Sequence, residues 1–173
     1  MDVRISPCVG PTLRARLADF VELLRDGVDG GASMSFIAPL DAELARRFWG
    51  KVAGEVEAGK RLVLGAFEGQ RLVGSVQLSL DTPPNQPHRV DLQKMLVHSA
   101  MRRRGLGRQL LAAADDAVRA AGRSLIVLDT VRGSDAESVY ARCGYTRVGV
   151  ILGFAMNHDG SALADTVIFY RQL

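Results

Sequence analysis

Val97-His98-Ser99-Ala100-Met101-Arg102-Arg103-Arg104-Gly105-Leu106-Gly107-Arg108-Gln109-Leu110-Leu111 is the stretch that decides how this chain is read. An apolar run ends at Val97, a polar turn follows, and a basic loop with two glycines enters an amphipathic helix. Such a loop aims backbone N–H groups, a helix N-terminus and several guanidinium groups at one point, which suits a pyrophosphate. Gly105 and Gly107 let the main chain approach phosphate oxygens without a Cβ in the way. A solvated charge run at Arg102 to Arg104 is the plain alternative. A dinucleotide fingerprint needs a third glycine where Leu110 stands and an acidic residue at the ribose position, and neither is present. A triphosphate loop needs a Gly-Lys-Ser/Thr ending, which is also missing.

Outward from this loop the chain reads as alternating strands and helices. Val90 to Val97 forms a strand, and Leu106, Leu110, Ala114, Val118 and Ala121 mark the apolar face of a helix that stops at Gly122. Leu125 to Asp129 is a short apolar run of the kind buried in a parallel sheet. Strand, crossover helix and strand make two parallel neighbours, with ligands gathering at the strands' carboxyl ends, here Val97 and Asp129. Upstream, a short strand at Val3 to Ser6 precedes a helix over 12–26, with Leu13, Leu17, Phe20, Val21 and Leu24 on one face and Gly27 as its stop. A glycine-rich connection covers 27–40. Asp41 then caps a helix with Leu44, Phe48, Val52 and Val56 on its apolar face, ending by Gly59. Arg61 to Phe67 and Arg71 to Leu80 form a hairpin, and Pro83, Pro84 and Pro87 mark a loop. Downstream, a short helix at Asp135 to Arg142 is followed by strands at about 146–152 and 166–171, around a loop with Gly153, Asn157, Asp159 and Gly160. The order β-α-α-β-β-β-α-β-α-β-β describes one α/β domain over residues 1–173.

Composition narrows the function classes. With 173 residues, 47% hydrophobic and 24% charged, the chain can bury a substantial core. A net charge of +3 is too small and dispersed to argue for nucleic acid. No run of about 18 apolar residues is present to span a membrane. Met1 to Pro7 lacks an apolar signal core, and Cys8 and Cys143 stand alone, so the expectation is a cytoplasmic protein with reduced thiols. His88, His98 and His158 have no ligand spacing, so no metal is expected. No Gly-x-Ser-x-Gly elbow supports a hydrolase, and no histidine stands near Cys143 in sequence to activate it.

The spacing Arg102-x-x-Gly105-x-Gly107 resembles the acetyl-CoA-binding signature of the GNAT superfamily of N-acyltransferases, and the element order is similar to that fold. Ala136-Glu137-Ser138-Val139-Tyr140, followed by Gly144-Tyr145, resembles the superfamily's final motif. One departure is that Gly133-Ser134 stands where many members place a cofactor-binding asparagine; that interaction is either missing here or supplied by the Ser134 hydroxyl. Gly30-Gly31-Ala32-Ser33, Gln93-Lys94, Leu128-Asp129-Thr130 and Tyr145-Thr146-Arg147-Val148-Gly149 are similar to a branch that acetylates toxins. The resemblance implies an α/β GNAT fold, a mixed and mostly antiparallel sheet with a splayed parallel pair and flanking helices. It implies acetyl-CoA as co-substrate, with the pyrophosphate on Arg102, Arg103, Arg104, Gly105, Leu106, Gly107 and Arg108. The pantetheine arm is expected along the main chain of Met95, Leu96 and Val97.

Acetyl transfer to an amine first needs a neutral amine. An alkyl ammonium of pKa near ~10 is neutral at about one part in a thousand at pH 7, a cost of roughly 4 kcal/mol. A positioned base removes that cost. By resemblance the candidates are Asp91, where several members carry a catalytic glutamate, and Asp129, at the end of the next parallel strand; Tyr140 is the implied acid toward the thiolate. The plainer roles are an exposed strand end for Asp91, a turn residue for Asp129 and a core ring for Tyr140. The expected acceptor is a small-molecule amine of toxin or antibiotic type. Peptide acetylation and a non-catalytic acyl-CoA sensor stay open, as does a homodimer.

Overall fold

Strands β1 (Val3–Pro7), β2 (Arg61–Glu68), β3 (Arg71–Ser79), β4 (Arg89–Val97), β5 (Leu125–Val131), β6 (Thr146–Met156) and β7 (Leu163–Gln172) form one sheet, in the order β1-β2-β3-β4-β5-β7-β6. The computed structural model describes residues 3–32 and 34–173; Met1, Asp2 and Ser33 of the stretches above lie outside them. Every neighbouring pair is antiparallel except β4 and β5.

The parallel pair is short. It runs Arg89↔Leu125, Val90↔Ile126 and Asp91↔Val127, while β4 stays paired to β3 as far as Val97. Past Asp91 the two strands diverge, and the sheet opens into a wedge. A bulge lies on the same stretch of β4: Ser75 faces Leu96 and Gln77 faces Gln93, so Lys94 and Met95 together oppose Val76. Lys94 adopts the left-handed region at φ 48.

Side chains alternate across the sheet and feed two cores. Helices α1 (Gly10–Ala15), α2 (Leu17–Asp29) and α3 (Ala42–Glu57) cover one face, where Phe20, Leu24 and Trp49 pack with Val63, Phe67, Leu72 and Leu96. Helices α4 (Leu106–Ala120) and α5 (Asp135–Arg142) cover the other, where Leu110, Val118 and Tyr140 pack with Val76, Val90, Leu92, Ile126 and Phe169. Asp41 caps α3 as expected, its carboxylate accepting from the Leu44 N–H at 2.8 Å.

Four expectations need correction. The helix over 12–26 is two helices, broken at Arg16 (φ −111, ψ 23). The Arg16 guanidinium lies 4.7 Å from the Phe67 ring centroid, pairs with Asp19 at 2.7 Å and donates to the Gln70 carbonyl. Gly27 does not stop α2 but lies inside it; a Cβ there would sit 2.6 Å from Leu96 Cδ2. The glycine therefore lets the helix settle against β4. The buried face of α3 is Ala45, Trp49, Val52 and Ala53, and Leu44 is 41% exposed. The indole of Trp49, packed at a 49° tilt with its centroid 4.6 Å from that of Phe20, sets the phase of that helix. Strands β6 and β7 are longer than expected, because Gly153 forms an irregularity within β6 rather than beginning the loop. A short turn closes them, its Asn157 side chain accepting from the Ser161 N–H at 3.0 Å.

Candidate active site

The wedge places the basic loop at its mouth. After Val97 the chain makes a 3₁₀ turn at Ser99–Met101, with the His98 side chain accepting from the Ala100 N–H at 3.2 Å. Asp26 on α2 clamps this turn, accepting from the Ser99 N–H at 2.8 Å and its hydroxyl at 2.6 Å. Arg102 folds inward: its Nε donates to the Val97 carbonyl at 3.3 Å, and its terminal nitrogen lies 3.9 Å from Asp26. It braces the loop. Arg103 is left-handed at φ 60 and mostly exposed, 4.0 Å from Asp135.

Gly105 is the N-cap of α4 at φ 81 and ψ 0, with no side chain capping the helix. The helical ladder starts with the Gln109 N–H donating to the Gly105 carbonyl at 3.2 Å. The amides before it point out of the helix end, where the macrodipole favours an anion. A Cβ on Gly107 would meet nothing nearer than Val139 Cγ1, at 4.0 Å. An open helix end, a glycine with empty space beside it and flanking Arg103 and Arg108 fit a pyrophosphate.

Beyond the wedge, on the face of α1 to α3, lies a cavity of about 280 Å³. Its walls are Ser35–Ile37 from the α2–α3 connection, Asp129–Val131 from β5, and Phe154–Met156 with Ala164–Thr166 from the β6–β7 hairpin. The single proton of the Thr166 hydroxyl is shared between the Asp129 carboxylate at 3.0 Å and the Thr130 carbonyl at 2.9 Å. Asp91 sits at the last β4–β5 pair and accepts from the Arg89 guanidinium at 3.1 Å. The two carboxylates thus have different surroundings: one lines the cavity, while the other holds an arginine on its own strand.

Tyr140 on α5 is 5% exposed and packs edge-on against Tyr145, ring centroids 5.6 Å apart. Burial pushes its hydroxyl well above the ordinary tyrosine range, and the Asp129 carboxylate adds to that shift. The hydroxyl therefore stays protonated, and Asp129 lies within its electrostatic reach. Ser134 is the N-cap of α5: its hydroxyl accepts from the Glu137 N–H at 3.2 Å and lies 3.3 Å from the Thr130 hydroxyl. The Glu137 carboxylate accepts in turn from the Gly133 N–H at 2.6 Å. The departure from asparagine at this position thus supplies a helix cap.

Of the residues expected from sequence, Asp129 lines the cavity and Tyr140 lies in the core beneath α5, Gly105, Leu106, Gly107 and Arg108 open α4, and Met95 to Val97 form the β4 side of the wedge. Leu96 turns its side chain into the core under α2, so only its main chain faces the wedge. Lys94 carried no expected role in the site, although Gln93-Lys94 is among the family-like stretches. Its ammonium donates to the Ser35 hydroxyl at 2.9 Å and lies 5.8 Å from the Phe36 ring centroid. Burial pulls its pKa below the ordinary lysine value, with Asp129 opposing that shift and Arg61 adding to it. The available signal was a lysine between Val90 and Val97, inside an otherwise largely apolar strand. Among the described residues no helix is long and apolar enough to cross a membrane, and no group of three or more His, Cys, Asp or Glu could hold a metal ion.

This fold and wedge define a class of acyl-group transferase, and the comparisons agree. The sequence profile of the acetyltransferase (GNAT) family matches residues 32–145. An uncharacterized N-acetyltransferase from the hisH–hisA intergenic region of Azospirillum brasilense is 30% identical over 115 residues, which is 65% of this chain and 67% of that relative. The yncA structure from Salmonella typhimurium, solved with its cofactor acetyl-CoA, superposes with a TM-score of 0.79 at 18% identity, covering 100% of this chain and 95% of that one. The ribosomal-protein-alanine N-acetyltransferase of Brucella melitensis superposes with a TM-score of 0.76 at 20% identity, covering 98% and 99%. The chain belongs to the acetyltransferase (GNAT) family: it is an N-acetyltransferase, with acetyl-CoA as co-substrate.

Proposed function

We propose that this enzyme transfers the acetyl group of acetyl-CoA to the amine of a small molecule in the cytoplasm. The observation that carries the reading is the cavity at the wedge, walled by Phe36 and Ile37 on one side and Phe154 and Met156 on the other. A cavity of about 280 Å³ suits a compact acceptor rather than an extended peptide. A toxin or antibiotic is the finer reading, supported by the likeness of several stretches to the tabtoxin resistance protein, Leu128-Asp129-Thr130 among them.

In this reading the amides of residues 103–108 and the guanidinium groups of Arg103 and Arg108 hold the pyrophosphate. The free edge of β4 at Met95 to Val97 pairs with the pantetheine arm as an added strand would. Asp129 takes a proton from the acceptor ammonium, directly or through one water, and Asp91 supports it from the start of the wedge. The freed nitrogen attacks the thioester carbon; the C–N bond forms, the C–S bond breaks, and the surplus proton on the new amide nitrogen leaves to solvent. Tyr140 then donates its hydroxyl proton toward the departing thiolate. Its raised pKa widens the gap to a thiol of pKa near ~8.5, so hydrogen-bond donation precedes full transfer.

The test is acetyl-CoA-dependent thiol release across a panel of free amines and N-terminal or lysine peptides. Turnover of free amines with little of peptides is expected. Efficient acetylation of peptides alone would overturn the small-molecule reading.

A further inference from the structure

Lys94 takes no part in the steps above, yet the fold goes out of its way to place it. The β4 bulge and the left-handed backbone at φ 48 turn the lysine toward the α2–α3 connection. Its ammonium uses one of three donors, on the Ser35 hydroxyl, and no carboxylate among the described residues lies within 4.0 Å of it. Ser35, which accepts its hydrogen bond, and Phe36, whose ring centroid lies 5.8 Å away, line the same cavity as Asp129. A half-buried cation with no carboxylate in contact is costly, and the hydrogen bond to Ser35 and the more distant charge of Asp129 offset that cost only in part.

We propose that Lys94 binds a carboxylate carried by the acceptor, so that the preferred substrates are amino acids, with the amine toward Asp129 and the carboxylate toward Lys94. The inference rests on the small-molecule reading above and names its substrate class. Asp129 on the cavity wall and the Lys94 ammonium behind Ser35 offer a zwitterion two opposite charges, while the second carboxylate on the wall, Asp165, is already paired with Arg132 at 3.3 Å. A phosphate would call for more donors than one lysine supplies. The neighbouring Arg61 is already committed, to Glu55 at 2.6 Å, Gln77 at 2.8 Å and Gln93 at 2.9 Å.

The test compares kcat/KM for matched acceptors, each L-amino acid against its own amide, by thiol release at saturating acetyl-CoA. The wild-type enzyme is expected to favour the acid by about tenfold or more, mainly through KM. In Lys94→Met the acid-to-amide ratio falls to near one, and Lys94→Arg restores part of it. A wild-type enzyme that takes acid and amide equally overturns the assignment and leaves the small-molecule reading intact. A Lys94→Met variant that loses efficiency on both while keeping the ratio also overturns it, because that is the signature of a purely structural lysine. No turnover of either acceptor by the wild-type enzyme overturns the amino-acid assignment, while the amine and peptide panel decides the small-molecule reading.

Discussion

Gly107→Ala should make this protein more stable and a poorer binder of acetyl-CoA at the same time. Gly107 is the second residue of α4, with ordinary negative-φ helical backbone, and the nearest atom to an added Cβ is Val139 Cγ1 at 4.0 Å. The methyl group therefore strains nothing in the free protein, and alanine in place of glycine within a helix is worth roughly 0.5–1 kcal/mol. For a chain of this length that is a rise of about 1–4 °C in Tm. The same methyl fills the space at the helix end that the proposed site gives to a phosphate. Loss of one charge-assisted hydrogen bond costs about 1.5–3 kcal/mol, or roughly 10- to 100-fold in Kd. Gly105→Ala supplies the contrast: at φ 81 the alanine pays about 1–2 kcal/mol of left-handed strain, so Tm falls by roughly 2–8 °C. Thermal unfolding without ligand and titration calorimetry with acetyl-CoA measure both effects. A Gly107→Ala protein with raised Tm and unchanged Kd would refute the placement of the pyrophosphate on this helix end.

Asp129→Asn keeps an acceptor for the Thr166 hydroxyl and removes the charge, so kcat/KM should drop by about 10²–10⁴-fold while Asp91→Asn loses less than about tenfold; the reverse ranking in steady-state rates would exchange the two roles. Tyr140→Phe keeps the ring packed against Tyr145 and should lower kcat by at least about tenfold with little change in Tm. The same burial keeps the Tyr140 proton in place beyond the ordinary value of 10.0, so an alkaline limb of the wild-type rate profile below that value that vanished in Tyr140→Phe would contradict this environment. Lys94→Met should raise Tm at pH 7, because a lysine whose pKa is lowered by folding carries its cost while charged. The gain should shrink as pH rises through the folded pKa toward the unfolded value near 10.5; an equal or lower Tm at neutral pH would show the lysine is not strained.

Much of the architecture was legible because it rests on local rules. The apolar run into Val97, the helix face through Leu110 and Val118, and the cap at Asp41 each follow from periodicity or from one hydrogen bond. What escaped depends on contacts between distant residues. Gly27 has the same missing Cβ whether it ends a helix or admits Leu96, and only the packed pair tells the two apart. The phase of α3 depends on Trp49 meeting Phe20, and the break at Arg16 on the Phe67 ring. The site divided in the same way. Glycines and arginines at fixed spacing announced the loop, and Asp129 and Tyr140 came with the family's motifs. Lys94 stood in a family-like stretch but its orientation did not show, because the bulge that turns it arises from a register mismatch between β3 and β4, and lysine has no preference for left-handed backbone.

The three-pair seam between β4 and β5 has a mechanical consequence. It divides the sheet into a plate of four strands and a plate of three, with α4 and its core bridging them on one face only. A bridge on one side acts as a hinge, so any opening occurs on the opposite face, where the acceptor cavity lies. An extended molecule inserted along the free edge of β4 would turn that hinge into a weld. Hydrogen exchange should then slow most at residues 92–97 and 128–131 on loading with acetyl-CoA, with the β1–β2 ladder far from the seam barely responding.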